Sequence, residues 1–210
     1  QVVRVTTREG YEIRVTPEHR IMTERGWVVA GELQHGDEVH VLDRKGGFGS
    51  EGSLELGRVL GWLVGDGTVK SDRAVLSFWG EERELAPAFR QAVDAVVRPP
   101  AIDRTYATAT VAVVARSETR VQSSRLREIA EEYGLVDEKL MVPEPVLRGS
   151  EEMQRGFLQA LFTADGTVIT RSEKGRAVRL TSISLDLLQD VQRILLNFGM
   201  AQEFGGRCHL

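Results

Sequence analysis

The chain has 210 residues, of which 41% are hydrophobic and 28% charged, with a formal net charge of −4 and a single cysteine. These values are typical of one or two soluble globular domains. One cysteine excludes an internal disulfide framework and favours a reducing, cytoplasmic setting. The negative charge excludes a uniformly basic DNA-coating protein. No apolar run is long enough to predict a membrane span.

The first forty residues are predicted to form a small all-β module. Segments 2–6 and 11–16 alternate apolar and polar residues around Arg8-Glu9-Gly10, which is typical of a hairpin. Shorter strands are predicted at 21–22 and 27–30, and a turn followed by a strand is predicted over 36–42.

Residues 42–53 are rich in glycine and charge and have no periodicity, so they are predicted to be a linker. We place the domain boundary there, which gives domains at 1–50 and 51–210.

From residue 54 the pattern changes to helices and strands, which predicts an α+β fold. In chain order we expect a helix at 54–64, strands at 68–70 and 74–79, a helix at 82–97, strands at 105–115 and 120–123, and a helix at 124–133. This αββαββα unit (54–134) is followed by a second copy at 151–210. In that copy we expect a helix at 151–163, strands at 167–170 and 177–182, and a helix at 184–198. Its last hairpin and helix are expected to be missing.

Two apolar stretches, 59–67 and 158–166, share one pattern ninety-nine residues apart, and each ends in Asp-Gly and is followed by Thr-Val. Small residues four positions apart lie on one face of each predicted helix: Gly61 and Gly65 in the first, Ala160 and Ala164 in the second. Such faces let two helix backbones approach closely. The packing would place Asp66 and Asp165 side by side at the helix ends.

Two neighbouring carboxylates repel each other unless a cation lies between them, and hard oxygen ligands suit Mg²⁺. Magnesium between carboxylates and a phosphate is typical of metal-assisted phosphodiester cleavage. Asp-Gly is also a common hairpin-turn signal, but two copies at the same offset favour the helix-end interpretation.

The two stretches resemble the nine-residue motif of the LAGLIDADG homing endonucleases, in their two-motif, single-chain form. The resemblance implies two αββαββα repeats related by a pseudo-two-fold axis, and a monomer that cuts double-stranded DNA. It also implies a Mg²⁺ or Mn²⁺ site at Asp66 and Asp165, together with the preceding residues Gly65 and Ala164. The family carries a lysine followed closely by a proline before the second motif, which Lys139 and Pro143 match. Lys139 is therefore a third catalytic candidate.

The amino-terminal segment resembles part of a Hint module, the protein-splicing domain of inteins. The resemblance rests on Thr16-Pro17-Glu18-His19, followed by a Gly-Trp-Val segment and a Gly-Asp-x-Val strand. It implies that Thr16 and His19 act at an upstream splice junction, with host-protein exteins as partners in a longer precursor. The sequence shows neither an upstream Cys or Ser nucleophile nor a terminal His-Asn pair, so we expect this piece not to splice by itself.

In the LAGLIDADG fold, alternate strand residues of two sheets face the DNA, and basic residues are frequent in the predicted strands. The candidate DNA contacts are Lys70, Arg73, Arg104, Arg116 and Arg120 in the first copy and Arg171, Lys174, Arg176 and Arg179 in the second.

Two alternatives remain open at this point. One is an intein whose endonuclease has lost activity, which the apparent loss of the last hairpin favours and the two aspartates disfavour. The other is a non-catalytic DNA- or RNA-binding protein built on the same fold.

Overall fold

The computed structural model describes residues 1–41, 46–97, 108–170 and 176–201. The chain divides into two compact units. The N-terminal unit contains Gln1–Gly47 and the described residues from Val191 onward, and the central unit is Phe48–Asp190. The predicted boundary at residue 50 and the assignment of the first part to a Hint module stay predictions.

The N-terminal unit begins with two antiparallel hairpins. They are formed by β1 (Val3–Thr6) with β2 (Glu12–Val15), and by β3 (Arg20–Thr23) with β4 (Gly26–Val29). The four strands were predicted, with ends that differ by one or two residues. This part of the module is therefore all-β, as expected.

In the part of 36–42 that the structure describes, the predicted turn is present and the predicted strand is shorter than expected. The strand is reduced to one antiparallel bridge between Thr23 and Val39. Asp37 organises the turn, because its carboxylate accepts from Arg25 Nη2 at 2.6 Å and from the Gln34 amide at 2.9 Å. Side-chain contacts of this kind satisfy backbone groups locally and compete with a strand ladder.

The central unit alternates helices and strands. Its elements are α1 (Leu54–Val64), β5 (Gly67–Val69), β6 (Ala74–Trp79), α2 (Ala86–Val97), β7 (Ala109–Val113), β8 (Glu118–Ser123), α3 (Ser124–Glu132), α4 (Glu144–Leu147), α5 (Glu151–Asp165), β9 (Gly166–Ile169) and β10 (Ala177–Leu180). Helix α6 (Leu185–Asn197) contains the border between the two units. The predicted α+β class and the αββαββα order of the first copy are confirmed.

Strands β5–β8 form one antiparallel sheet in the order β5-β6-β8-β7. Leu76 and Val121 are directly paired and fully buried, as is Phe78. The rings of Phe78 and Phe89 each lie 4.5 Å from that of Trp62, so helices α1 and α2 cover this face. Because side chains alternate along a strand, residues such as Ser77 and Arg120 lie on the opposite face of the sheet.

The second copy follows the first as far as the structure describes it. Strands β9 and β10 pair antiparallel, with Gly166 opposite Leu180, as Gly67 lies opposite Leu76 in the first copy. Helix α5 was predicted to end at residue 163 and continues to Asp165.

Part of the predicted linker belongs to the central unit. The Gly49 amide donates to Gly149 O at 3.0 Å, and Ser150 donates to Glu51 O through its amide and to Gly52 O through its hydroxyl. These bonds hold the residues before α1 against the residues before α5.

The longest helix among the described residues has 15 residues, and no helix in this part of the chain has the length and hydropathy that a bilayer-spanning helix needs.

Candidate active site

Helices α1 and α5 cross with their backbones in direct contact. A Cβ atom built on Gly61 would lie 2.3 Å from Phe157 O, and one on Gly57 would lie 2.1 Å from Met153 O. Real Cβ atoms do not approach a backbone oxygen so closely, so only glycine fits at these positions without a shift of the helices. Ala160, the predicted partner on α5, is 2% exposed.

The crossing has an internal two-fold relation that the sequence offset predicts. A Cβ on Gly156 would lie 2.3 Å from Leu54 O, which mirrors the contact between Gly57 and Met153, since 54 and 153 are ninety-nine positions apart, as are 57 and 156. Gly57 and Gly156 were missed as interface residues. The four-residue spacing could have found them, because it continues one helical turn before Gly61 and before Ala160.

The carboxyl ends of the two helices meet at the paired motifs. A Cβ on Gly65 would lie 2.7 Å from Ala164 Cβ and 3.4 Å from Asp165 Oδ2. The Asp165 carboxylate therefore lies beside the backbone of the residue that precedes Asp66.

The glycine after each aspartate lets the chain pass close to the helix that it follows. Neither Gly67 nor Gly166 has a positive φ. A Cβ on Gly67 would lie 2.5 Å from Leu63 Cα, and one on Gly166 would lie 2.2 Å from Phe162 O. These glycines let the first strand turn back closely over the last turn of the helix, which fixes the direction of the chain after each aspartate.

Lys139 reaches the end of α1 from the segment before α4. Its ammonium donates to Gly65 O at 2.7 Å and to Gly67 O at 2.8 Å, the two carbonyls on either side of Asp66. Cations are favoured at the carboxyl end of a helix. Lys139 thus fixes the backbone around Asp66 and places a positive charge beside both carboxylates.

The electrostatics of this cluster are those of crowded carboxylates. Burial, with smaller effects from the charges of Asp165 and Glu82, raises the pKa of Asp66 from 3.8 to about 6, although Lys139 opposes the shift. Burial also raises the pKa of Asp165, and again Lys139 opposes it. Burial lowers the pKa of Lys139, against the attraction of the two carboxylates.

The donor set fits a hard divalent cation. A cation would relieve the repulsion that the two aspartates exert, and Mg²⁺ is commonly held by one or two carboxylates, with water and phosphate completing the shell. Across the described residues no three His, Cys, Asp or Glu side chains converge. The pair would thus need backbone oxygens or waters as further ligands. Gly65 O already accepts from Lys139, so one of its two lone pairs remains for a metal.

A pH-dependent stability difference is expected between the parent and Asp66→Asn when metal is absent. The folded state keeps a proton on Asp66 up to about pH 6, whereas the unfolded chain loses it near 3.8. The stability of the parent therefore falls as the pH rises through this window, and that of the Asn variant lacks this contribution. In the presence of a chelator, the melting temperature of the variant should rise relative to that of the parent from about pH 4 to pH 7.

Addition of Mg²⁺ at pH 7 should raise the melting temperature of the parent more than that of the variant. If the difference in melting temperature did not change with pH, or if Mg²⁺ affected both proteins equally, Asp66 would not be the titrating metal ligand.

The basic residues proposed to contact DNA lie on strands and turns. Lys70 and Arg73 flank the β5–β6 turn, and Arg73 pairs with Asp72. Arg116 lies in the β7–β8 connection, at the other end of the same sheet, and Arg120 lies within β8.

In the second copy, Arg176 immediately precedes β10 and Arg179 lies within it, opposite Thr167, and both arginines are exposed. Arg104, Arg171 and Lys174 lie outside the described residues.

Thr16 and His19 lie in the N-terminal unit, at the two ends of one turn. The His19 amide donates to Thr16 O at 3.0 Å, and the Ala30 amide donates to His19 O at 2.7 Å. Both side chains are exposed.

Residues 152–204, about a quarter of the chain, match the family model of the LAGLIDADG-like domain. The chain is 29% identical over 214 residues to the ribonucleoside-diphosphate reductase NrdEB subunit alpha of Bacillus subtilis, with 95% of the chain and 20% of that protein covered. It is 28% identical over 203 residues to RecA of Mycobacterium tuberculosis, with 91% and 25% covered. The chain thus spans a fifth to a quarter of these two relatives.

Among solved structures, the homing endonuclease I-DmoI in complex with DNA and Mn is similar in part, with a TM-score of 0.47 and 19% identity. The similarity covers 70% of this chain and 79% of that one.

Proposed function

We propose that this chain contains a divalent-metal-dependent endonuclease for double-stranded DNA, joined to part of a protein-splicing module. The observation that carries the proposal is the meeting of Asp66, Asp165 and Lys139 at the ends of two helices that cross backbone to backbone. The match of residues 152–204 to the LAGLIDADG-like domain supports it.

The relatives support an inserted element. A ribonucleotide reductase subunit and RecA differ in function, yet each contains a stretch similar to nearly the whole of this chain and covering a quarter or less of its own length. A segment shared by otherwise different proteins is the distribution expected of a mobile coding element. In that context Thr16 and His19 would act at a splice junction, and the flanking host protein would be the extein partner.

In the proposed reaction, water attacks a DNA phosphorus and the bond from phosphorus to the 3′ oxygen breaks. A divalent cation bound at the site would lower the pKa of the attacking water and neutralise charge on the phosphate. Asp66 and Asp165, with Gly65 O and Ala164 O, would hold that cation. The Lys139 ammonium would fix the Asp66 backbone and stabilise the negative charge that develops on the phosphate.

The direct test is Mg²⁺- or Mn²⁺-dependent cleavage of a duplex that represents the host gene without the insertion. Cleavage of this duplex into two fragments, without cleavage of the gene that carries the insertion, would support a site-specific nuclease. Duplex binding without cleavage in either metal would favour the alternative of an inactive or purely DNA-binding protein.

DNA binding is expected to depend strongly on salt, because the proposed surface contacts phosphates mainly through arginine. Arg176→Ala with Arg179→Ala should reduce the slope of log affinity against log salt by about two, since each phosphate contact contributes about 0.9. Fluorescence anisotropy over a salt series measures this slope.

A matched control removes two arginines away from the strands, Arg90 on α2 and Arg148 directly after α4. Each forms an i,i+4 ion pair, with Asp94 and Glu144 respectively. Arg90→Ala with Arg148→Ala should leave the slope unchanged. Equal slopes for both double variants would place the DNA on another surface.

A further inference from the structure

An arginine–glutamate pair lies on the face of the β5–β8 sheet that points away from the helices. Val121 is fully buried on the helix side of β8. Because side chains alternate along the strand, Glu118 and Arg120 are both on the other face. Strand β8 lies between β6 and β7, so the pair is held by an interior strand of the sheet.

The geometry of the pair fixes the arginine. Arg120 Nε donates to Glu118 Oε1 at 2.6 Å, and Arg120 Nη2 donates to Glu118 Oε2 at 2.8 Å. Glu118 is 2% exposed, whereas the Arg120 side chain keeps 27% exposure. The two bonds use two of the five N–H groups of the guanidinium. The plane of the group is therefore set, and the Nη1 edge points away from the carboxylate.

The β7 side of the sheet leaves this edge accessible. Arg120 lies directly between Ser77 on β6, which is 8% exposed, and Val111 on β7, which is 38% exposed. The hydrogen bonds from Arg120 lower the pKa of Glu118 against the effect of its burial, and a hydrogen bond from Ser77 and the charge of Arg116 add smaller effects in the same direction as Arg120. Two arginines to one carboxylate leave this part of the face with one net positive charge.

A carboxylate beside an arginine disfavours contact with a phosphate, because it cancels much of the attraction and adds repulsion of its own. The same carboxylate favours contact with a base edge, since it holds the guanidinium in one orientation before binding. Guanine presents two acceptors, O6 and N7, in the major groove, and they match two parallel N–H donors of arginine.

We infer that Arg120 recognises a guanine in the bound duplex and that Glu118 is the positioning residue that holds it for this contact. This inference rests on the proposed function and adds to it a base that the target must contain. It separates Arg120 from Arg116 and Lys70, whose exposed positions at the ends of the sheet suit contacts with phosphate.

The test is selection of bound duplexes from a randomised pool, followed by affinity measurements on single-base variants of the selected sequence. The parent should require a guanine at the position that Arg120 contacts. Arg120→Lys keeps the charge beside Glu118 but loses the planar fork, so discrimination at that base should fall about tenfold or more. Preference at the other positions should be unchanged.

Two further variants separate recognition from stability and from general affinity. Glu118→Gln retains Arg120 without its charged anchor, and should relax the preference at the same base while a melting curve verifies folding. Arg116→Ala is the matched control, and should weaken binding to all sequences equally with the guanine preference intact.

A parent that selects a sequence while Arg120→Lys keeps every preference would overturn the inference alone. So would a folded Glu118→Gln or Arg120→Lys variant that weakens binding uniformly, because a merely structural pair or a phosphate contact gives that result. A parent that binds no duplex DNA would overturn the proposed function as well.

Discussion

Asp66→Asn is expected to abolish metal-dependent cleavage of the insertion-free duplex while leaving its binding intact or slightly stronger. Asn keeps the shape of the side chain but removes the charge that would hold a cation. Loss of a metal that stabilises the transition state by several kcal/mol should lower the rate by orders of magnitude. Binding should survive because the substitution also relieves repulsion between Asp66 and Asp165.

Asp165→Asn should behave in the same way. Asp137→Asn is the matched control, since it makes the same chemical change at an exposed position two residues before Lys139. Cleavage and gel-shift assays on one preparation of each protein give both readouts. Full cleavage by either site variant, when the parent cleaves, would remove the aspartate pair from the mechanism.

The second large effect is expected for Gly61→Ala. Replacement of a solvent-exposed glycine in the middle of a helix by alanine stabilises the helix by up to about 1 kcal/mol. Here the added methyl group would lie 2.3 Å from Phe157 O and 3.0 Å from Phe157 Cα, so α1 and α5 must separate. We expect a net loss of about 1–3 kcal/mol, and a larger one for Gly61→Leu.

Gly47→Ala is the control, because a Cβ at Gly47 would meet no atom within 4 Å. The measurement is the urea concentration at the midpoint of unfolding for the parent and both variants. A midpoint for Gly61→Ala at or above that of the parent would mean that the two helices do not depend on this close contact.

Local signals predicted the elements whose ends are marked in the sequence. Helix α1 was predicted with its observed ends, and its start is fixed by Ser53, whose side chain accepts from the Leu56 amide. The paired motifs led to the helix crossing because small residues recur every four positions. The same spacing at Gly57 and Gly156 was overlooked, since the motif comparison began two residues later.

Contacts between distant segments could not be predicted from periodicity. Lys139 lies more than seventy residues from the carbonyls that it contacts, and only the family resemblance singled it out. The role of Glu118 was missed for another reason. A search for DNA contacts counts basic residues, whereas Glu118 and Arg120 are two positions apart on one strand and could have been recognised as neighbours on one face.

Because α1 and α5 contact each other through their backbones, the position of the two carboxylates and the choice of DNA sequence can change independently. The crossing is set by Gly57, Gly61 and Gly156, whose missing side chains let main-chain atoms touch, and so the helix ends that carry the two aspartates are brought together by contacts between helices. Substitutions on the strands can then alter which DNA is recognised without moving the carboxylates. Hybrid proteins that join halves from two relatives between α3 and α5 would retain the geometry of hydrolysis if these glycines are kept, while each half contributes its own sequence preference.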